Sequence, residues 1–151
     1  KNNDIFEFYK SCIEFRKKHN ILHMNRAFRM TDYCGIGCPD LSLHGEEAWK
    51  VETDDLTRHF AMLYSNEYAK VDINGKALND KEEPKQTGDY IYIAINMHWT
   101  EHGFALPKLP IGKEWQILFD TNRENSFVDI PLSDSKKIVV KDRSIIVLKS
   151  K

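Results

Sequence analysis

The sequence predicts a mainly β protein: an antiparallel β-sandwich of about seven or eight strands preceded by one N-terminal α-helix. Three observations predict it. Apolar residues recur at helical spacing only near the N-terminus. Beyond that point short apolar runs alternate with turns rich in Gly, Pro, Asn and Asp, the pattern of sandwiches. No helical segment separates these runs, which disfavours an alternating parallel fold.

The helix comes first. Asn3 or Asp4 can cap it, and Asp4 with Glu7 has capping-box spacing. Ile5, Phe8, Tyr9, Cys12 and Phe15 recur at helical spacing, and Phe6 and Ile13 widen the stripe. Arg16, Lys17, Lys18 and His19 suit the negative end of a helix dipole, and Asn20 tolerates a left-handed stop, so the helix ends near His19 and Asn20. The apolar face is unusually broad for one helix.

The strands follow. Residues 27–30 form a short strand, and residues 31–39 form a loop punctuated by Gly35, Gly37 and Pro39. Residues 41–45 are short and extended, and residues 59–65, HFAMLYS, form a buried strand. Residues 70–88 are polar and carry Asn74-Gly75, Asn79-Asp80 and Pro84, which predicts a hairpin tip or a long mobile loop. Residues 90–99 alternate, with Ile91, Ile93, Ile95 and Met97 on one face and Tyr92, Ala94, Asn96 and His98 on the other. Phe104 and Leu106 begin a partner strand, and WQILFD at residues 115–120 forms another. Residues 138–140 and 144–148 are joined by the turn Lys141-Asp142-Arg143. There is no internal repeat and no low-complexity tract.

Composition narrows the function classes. A chain of 151 residues is long enough to bury a core as one domain. With 22 basic and 23 acidic side chains, it has no electrostatic case for nucleic acid or an anionic membrane as a partner. No apolar run reaches the ~18 residues of a membrane helix. The start, KNNDIFEFYK, lacks the uninterrupted apolar region of a signal peptide and has no initiator Met, so the chain is expected to be a piece of a longer protein. Cys12, Cys34 and Cys38 are too few and too odd in number for a disulfide framework, which points to a reducing compartment.

Chemistry-bearing motifs are sparse. His98 and His102 are four apart, but on a strand and its turn rather than one helical face, so the pair is not expected to converge on a metal, and no metal or other cofactor is assigned. The CGIGC stretch holding Cys34 and Cys38 has wider spacing than a zinc knuckle or a thioredoxin-type motif, and is taken as a flexible glycine loop whose thiols oxidise in air. No nucleophile elbow or phosphate loop is present. Acidic residues such as Asp80, Glu82 and Glu83 lie in turns and belong to a solvated surface. Trp115 fits a core position because it starts an apolar strand and Trp99 by strand parity, whereas Trp49 lies in a loop after His44 and is the ring best placed to stack on a sugar.

Several segments, in order, resemble the C-terminal end of bacterial glycogen debranching enzymes, isoamylases and pullulanases of the alpha-amylase superfamily. FYKSCIEFRKKHNIL, residues 8–22, is similar to the last helix of their (β/α)8 barrel. CPDLSLHGEEAW, residues 38–49, looks like their P-D-[IL]-S-x-H-G…W stretch, with Leu43 where an aromatic residue often stands. RHFAMLYS, residues 58–65, resembles the next strand. DYIYIAINMHWTEHGFALP, residues 89–107, is similar to a strand pair carrying N-x-H-W and F-x-L-P. WQILFDT, residues 115–121, and DRSIIVL, residues 142–148, match the closing strands. Residues 69–87 are less like the family.

The resemblance implies a division into residues 1–22, the last barrel helix, and residues 23–151, the C-terminal sandwich. It implies no catalytic residue here, because the family's carboxylates lie on barrel strands upstream and a complete barrel needs roughly 250 residues. It further implies a bacterial cytoplasmic hydrolase of α-glucan branch linkages as the parent. The expected role is a non-catalytic domain that stabilises the catalytic barrel through Ile5, Phe6, Tyr9 and Ile13. The isolated chain would self-associate through the same face. The alternative is a carbohydrate-binding module that contacts α-glucan through Trp49 and His44. His98 and Trp99 are expected to pack and fix a turn.

Overall fold

In the computed structural model, which describes residues 2–54, 56–79, 88–123 and 127–151, one helix lies against the outer face of the larger of two antiparallel sheets. The helix α1 spans Asn2–Lys18. The strands are β1 (Leu41–His44), β2 (His59–Ser65), β3 (Tyr90–Asn96), β4 (His102–Ala105), β5 (Trp115–Asp120), β6 (Phe127–Pro131), β7 (Lys137–Val140) and β8 (Ser144–Ser150). The large sheet has the order β1-β2-β3-β8-β5-β6, and β4 pairs with β7 in a second, two-stranded sheet. Every pairing is antiparallel. The predicted fold class is the observed one.

Directly paired residues share a face of a sheet, so the register defines the layers. Leu63, Tyr92, Leu148 and Ile117 form one row across the large sheet, and Ala61, Ala94 and Ile146 the next. These residues are buried and face the small sheet, whose Phe104, Ile138 and Val140 are buried too. The Trp115 ring lies 6.0 Å from that of Tyr92 and is 2% exposed, the core position expected for it. The core therefore sits between the two sheets, and the alternation along β3 created it.

The outer face carries the helix. Ile117 pairs with Leu148 but Phe119 pairs with Val147, so the register shifts between them and Phe119 moves to the opposite face from Ile117. There its ring lies 5.2 Å from Phe8 and 4.9 Å from Phe127. Phe8 and Phe15 are partly buried against this side, and His19, just beyond the helix, is buried with Nδ1 2.8 Å from the Phe15 carbonyl. One irregularity in β5 thus creates the seat for α1.

Four expectations change. The helix begins by Asn2, so Asn3 and Asp4 lie inside its first turn; Asp4 there still complements the dipole. Residues 27–30 are not a strand. The buried Asp40 carboxylate accepts the backbone N–H groups of Arg29 and Met30, and Met30 adopts φ 54, which no ladder accommodates. β3 ends at Asn96, so the parity argument fails for Trp99, which is 61% exposed, and Met97 is exposed as well. β6 was not anticipated, because Asp129 at φ 52 and Pro131 break its alternation and its edge position leaves it half exposed.

The polar segment is more ordered at its start than expected. A short 3-10 helix at Asn66–Lys70 leads into a tight turn closed by the Val71–Ala77 bridge, with Asn74-Gly75 at its tip. Asp80, Glu82, Glu83 and Pro84 lie outside the described residues. Asp32 gathers the CGIGC loop: it accepts the N–H groups of Ile36 and Gly37 and the Tyr68 hydroxyl. Cys34 and Cys38 are free thiols in this tethered loop, and burial pushes both pKa values up.

Candidate functional site

Three features stand out: the outward side of α1, the His44–Trp49 loop, and a histidine cluster between the sheets.

Phe8 and Phe15 point α1 at the sandwich, which turns Ile5, Phe6, Tyr9 and Ile13 away from it. These four residues are 59%, 63%, 62% and 53% exposed. Positions 5, 9 and 13 are one helical turn apart and position 6 adjoins them, so the four form a continuous apolar stripe. A surface helix of a globular protein normally puts charge on its outer face. This helix is apolar on two sides.

The second feature begins with His44, the last residue of β1, whose side chain enters the core beside Tyr92. His44 is fully buried. The backbone N–H of Trp49 donates to its Nδ1 at 2.8 Å, which leaves the proton on Nε2 to be donated to Ser42 Oγ at 2.9 Å. Desolvation lowers the His44 pKa to about 4, so the ring is neutral. Trp49 sits at φ 68, in the left-handed region, and is 51% exposed, with its ring centroid 4.9 Å from that of His44. Gly45 completes the turn, since a Cβ there would come within 2.9 Å of the Lys50 carbonyl. Trp49 borders a groove of about 290 Å³ that reaches Cys38, Leu63, Tyr90, Pro107 and Leu109. Of the two residues expected to touch sugar, the structure offers the Trp49 ring to solvent and uses His44 to hold it there.

The third feature joins segments far apart in sequence. His59 opens β2 on the inner face of the large sheet, His102 opens β4 on the small sheet, and Glu46 follows β1. The Glu46 carbonyl accepts the Ala105 N–H, which ties its loop to β4. The two imidazoles stack at 3.9 Å with 14° between their planes. Glu46 Oε1 lies 2.7 Å from His102 Nδ1 and 3.5 Å from His59 Nε2. The neighbouring His102 is the main cause that holds the Glu46 pKa below the usual carboxylate range. Desolvation, and secondarily His102, pushes His59 down. Among the described residues, these three side chains form the group able to hold a metal ion. His98, four residues before His102, packs edge-on against that ring and helps fix the turn after β3.

Asn96 closes the same corner. It is fully buried, its amide donates to the carbonyls of Thr100, Val140 and Lys141, and its Oδ1 accepts the His98 N–H. Glu46 and His59 carried no site signal in the sequence, because no spacing rule links positions 46, 59 and 102, and Asp40 stood only as one letter of the P-D-L-S-L-H-G resemblance, with no role attached.

No family model and no curated protein matches this sequence. Among solved structures, a pullulanase from Bacillus acidopullulyticus superposes with a TM-score of 0.54 at 19% identity, over 97% of this chain and 14% of that one. The Group B Streptococcus pullulanase SAP superposes with a TM-score of 0.40 at 14% identity, over 73% of this chain and 12% of that one. This chain spans a small fraction of the length of either enzyme. At 19% identity the first likeness establishes a shared fold. Among the described residues, no helix is long and apolar enough to cross a membrane.

Proposed function

We propose that the chain is a non-catalytic accessory domain of an α-glucan debranching glycoside hydrolase, in which α1 closes the catalytic barrel and the sandwich braces it. The observation that carries this reading is the outward stripe of Ile5, Phe6, Tyr9 and Ile13. Full burial of such side chains stabilises by about 1.5–3 kcal/mol each, so covering the part now exposed is worth roughly 4–7 kcal/mol before the cost of association. The ordered motifs from residue 8 to residue 148 and the fold shared with part of a pullulanase support the identity of the missing neighbour. The active carboxylates belong to that neighbour.

Hydrolysis assays on pullulan and on branched glucan test the reading, with this chain alone and with the longer polypeptide that carries it. The chain alone releases no reducing sugar, whereas the longer polypeptide does. Ile5→Glu with Tyr9→Glu lowers the melting temperature of the longer polypeptide and leaves that of the isolated chain nearly unchanged at concentrations where the chain is monomeric. Hydrolysis by the isolated chain, or indifference of the longer polypeptide to these substitutions, refutes it.

A second reading rests on Trp49, half exposed beside a groove. As a carbohydrate-binding module, the chain would give heat and a tryptophan fluorescence change with maltoheptaose or glycogen, both lost in Trp49→Ala. Silence in that titration leaves the bracing role alone.

A further inference from the structure

The geometry points to a divalent transition-metal site of the zinc class at the corner between the two sheets, built from Glu46, His59 and His102.

His102 carries one close partner on each nitrogen. Its Nε2 lies 3.4 Å from Thr100 Oγ1, a hydroxyl that itself lies 2.7 Å from His98 Nδ1. Its Nδ1 lies 2.7 Å from Glu46 Oε1, and a carboxylate can only accept, so in this structure a proton on Nδ1 bridges the two. A divalent ion would take the place of that proton between the same two atoms. His59 Nε2 lies 3.5 Å from the same oxygen, and among the described residues its buried Nδ1 has no hydrogen-bond partner.

The donor set favours the metal. One atom from each of the three side chains lies within 4.8 Å of the others. The tetrahedron around a zinc ion with bonds of about 2.05 Å has edges near 3.3 Å, and the two distances to Glu46 Oε1, 2.7 and 3.5 Å, bracket that edge; the two imidazoles, stacked with 14° between their planes, must turn out of that stack for both lone pairs to meet one ion. Two imidazoles and one carboxylate suit Zn(II), Co(II), Ni(II) or Cu(II) better than the all-oxygen preference of Ca(II) or Mg(II). The Thr100–His98 pair supplies the outer hydrogen bond that orients a ligating imidazole. Both histidines are mostly covered and held by strands of different sheets, whereas Glu46 is exposed and free to adjust. A bound ion would tie β2 to β4 and leave a fourth position open to water or a partner.

The test uses the intact chain, stripped of metal at neutral pH and titrated with zinc by calorimetry and with cobalt(II) by visible absorption. One equivalent binds, cobalt gives the intense visible bands of a four-coordinate site without a sulfur charge-transfer band, and zinc at a hundredfold excess over Kd raises the melting temperature by about 5–10 °C. His59→Asn, His102→Asn and Glu46→Gln abolish or strongly weaken binding. Thr100→Val weakens it about tenfold, as loss of an outer partner does. The exposed His23 serves as the control, and His23→Asn changes nothing. Glu46→Gln alters an exposed side chain, so folding survives and the result stays interpretable. No saturable binding below about 1 mM, full retention in Glu46→Gln, or loss in Cys34→Ser instead overturns the site and leaves a proton as the shared cation.

Discussion

The imidazole of His44 receives the backbone N–H of Trp49 at 2.8 Å, so a fully buried ring holds a half-exposed tryptophan in a left-handed backbone conformation. One side chain of the recognisable D-L-S-L-H-G stretch thereby shapes a surface loop from inside the core. The Nδ1 lone pair is what makes this possible, and protonation would remove it.

The first prediction follows from that dependence. Burial lowers the His44 pKa to about 4, while the unfolded chain keeps an ordinary value near 6.5. The unfolded state therefore binds a proton that the folded state refuses, and stability falls as pH drops from 6.5 towards 4. His44 alone removes about 2 kcal/mol between pH 7.5 and pH 5, at 1.36 kcal/mol per pH unit. His19 and His59 are pushed the same way by desolvation and add to the slope. Urea unfolding at the two pH values will show a shallower loss for His44→Asn than for the natural chain. Equal slopes would mean that His44 does not carry the dependence.

Asp40 supports the second prediction. It is fully buried and accepts three backbone N–H groups, from Arg29, Met30 and Leu41, at 2.8–2.9 Å. Asp40→Ala leaves these donors without their acceptor and destabilises by about 3 kcal/mol, whereas Asp40→Asn costs about half as much because one oxygen remains. Denaturant midpoints measure both.

The third prediction separates the two sides of α1. Phe8 touches Phe119 and Phe127, so Phe8→Ala costs about 1.5–2.5 kcal/mol in the isolated chain. Tyr9, the adjacent residue, is 62% exposed, and Tyr9→Ala stays within about 0.5 kcal/mol. A reversal of these two values would mean that the helix packs by its other face.

Much of the fold was legible because its signals are local. The i, i+4 recurrence from Ile5 marked α1, and the period-two alternation from Tyr90 marked β3. The failures came where distant contacts override local pattern. Asp40 holds residues 29 and 30 out of any strand, and the register shift in β5 decides where Phe8 docks. The outward stripe of α1 was legible as an excess of apolar residues, which the structure sorts into an inner and an outer set. The cluster of Glu46, His59 and His102 was not legible, since only the packing of one sheet on the other brings those positions together.

The central claim is that the outer side of α1 is an interface, and sedimentation equilibrium of the purified chain tests it most directly. The account predicts concentration-dependent association, with binding of a hydrophobic dye, for the natural sequence, and a dye-silent monomer for Ile5→Glu combined with Tyr9→Glu. A natural chain that remains a dye-silent monomer at every concentration would contradict it.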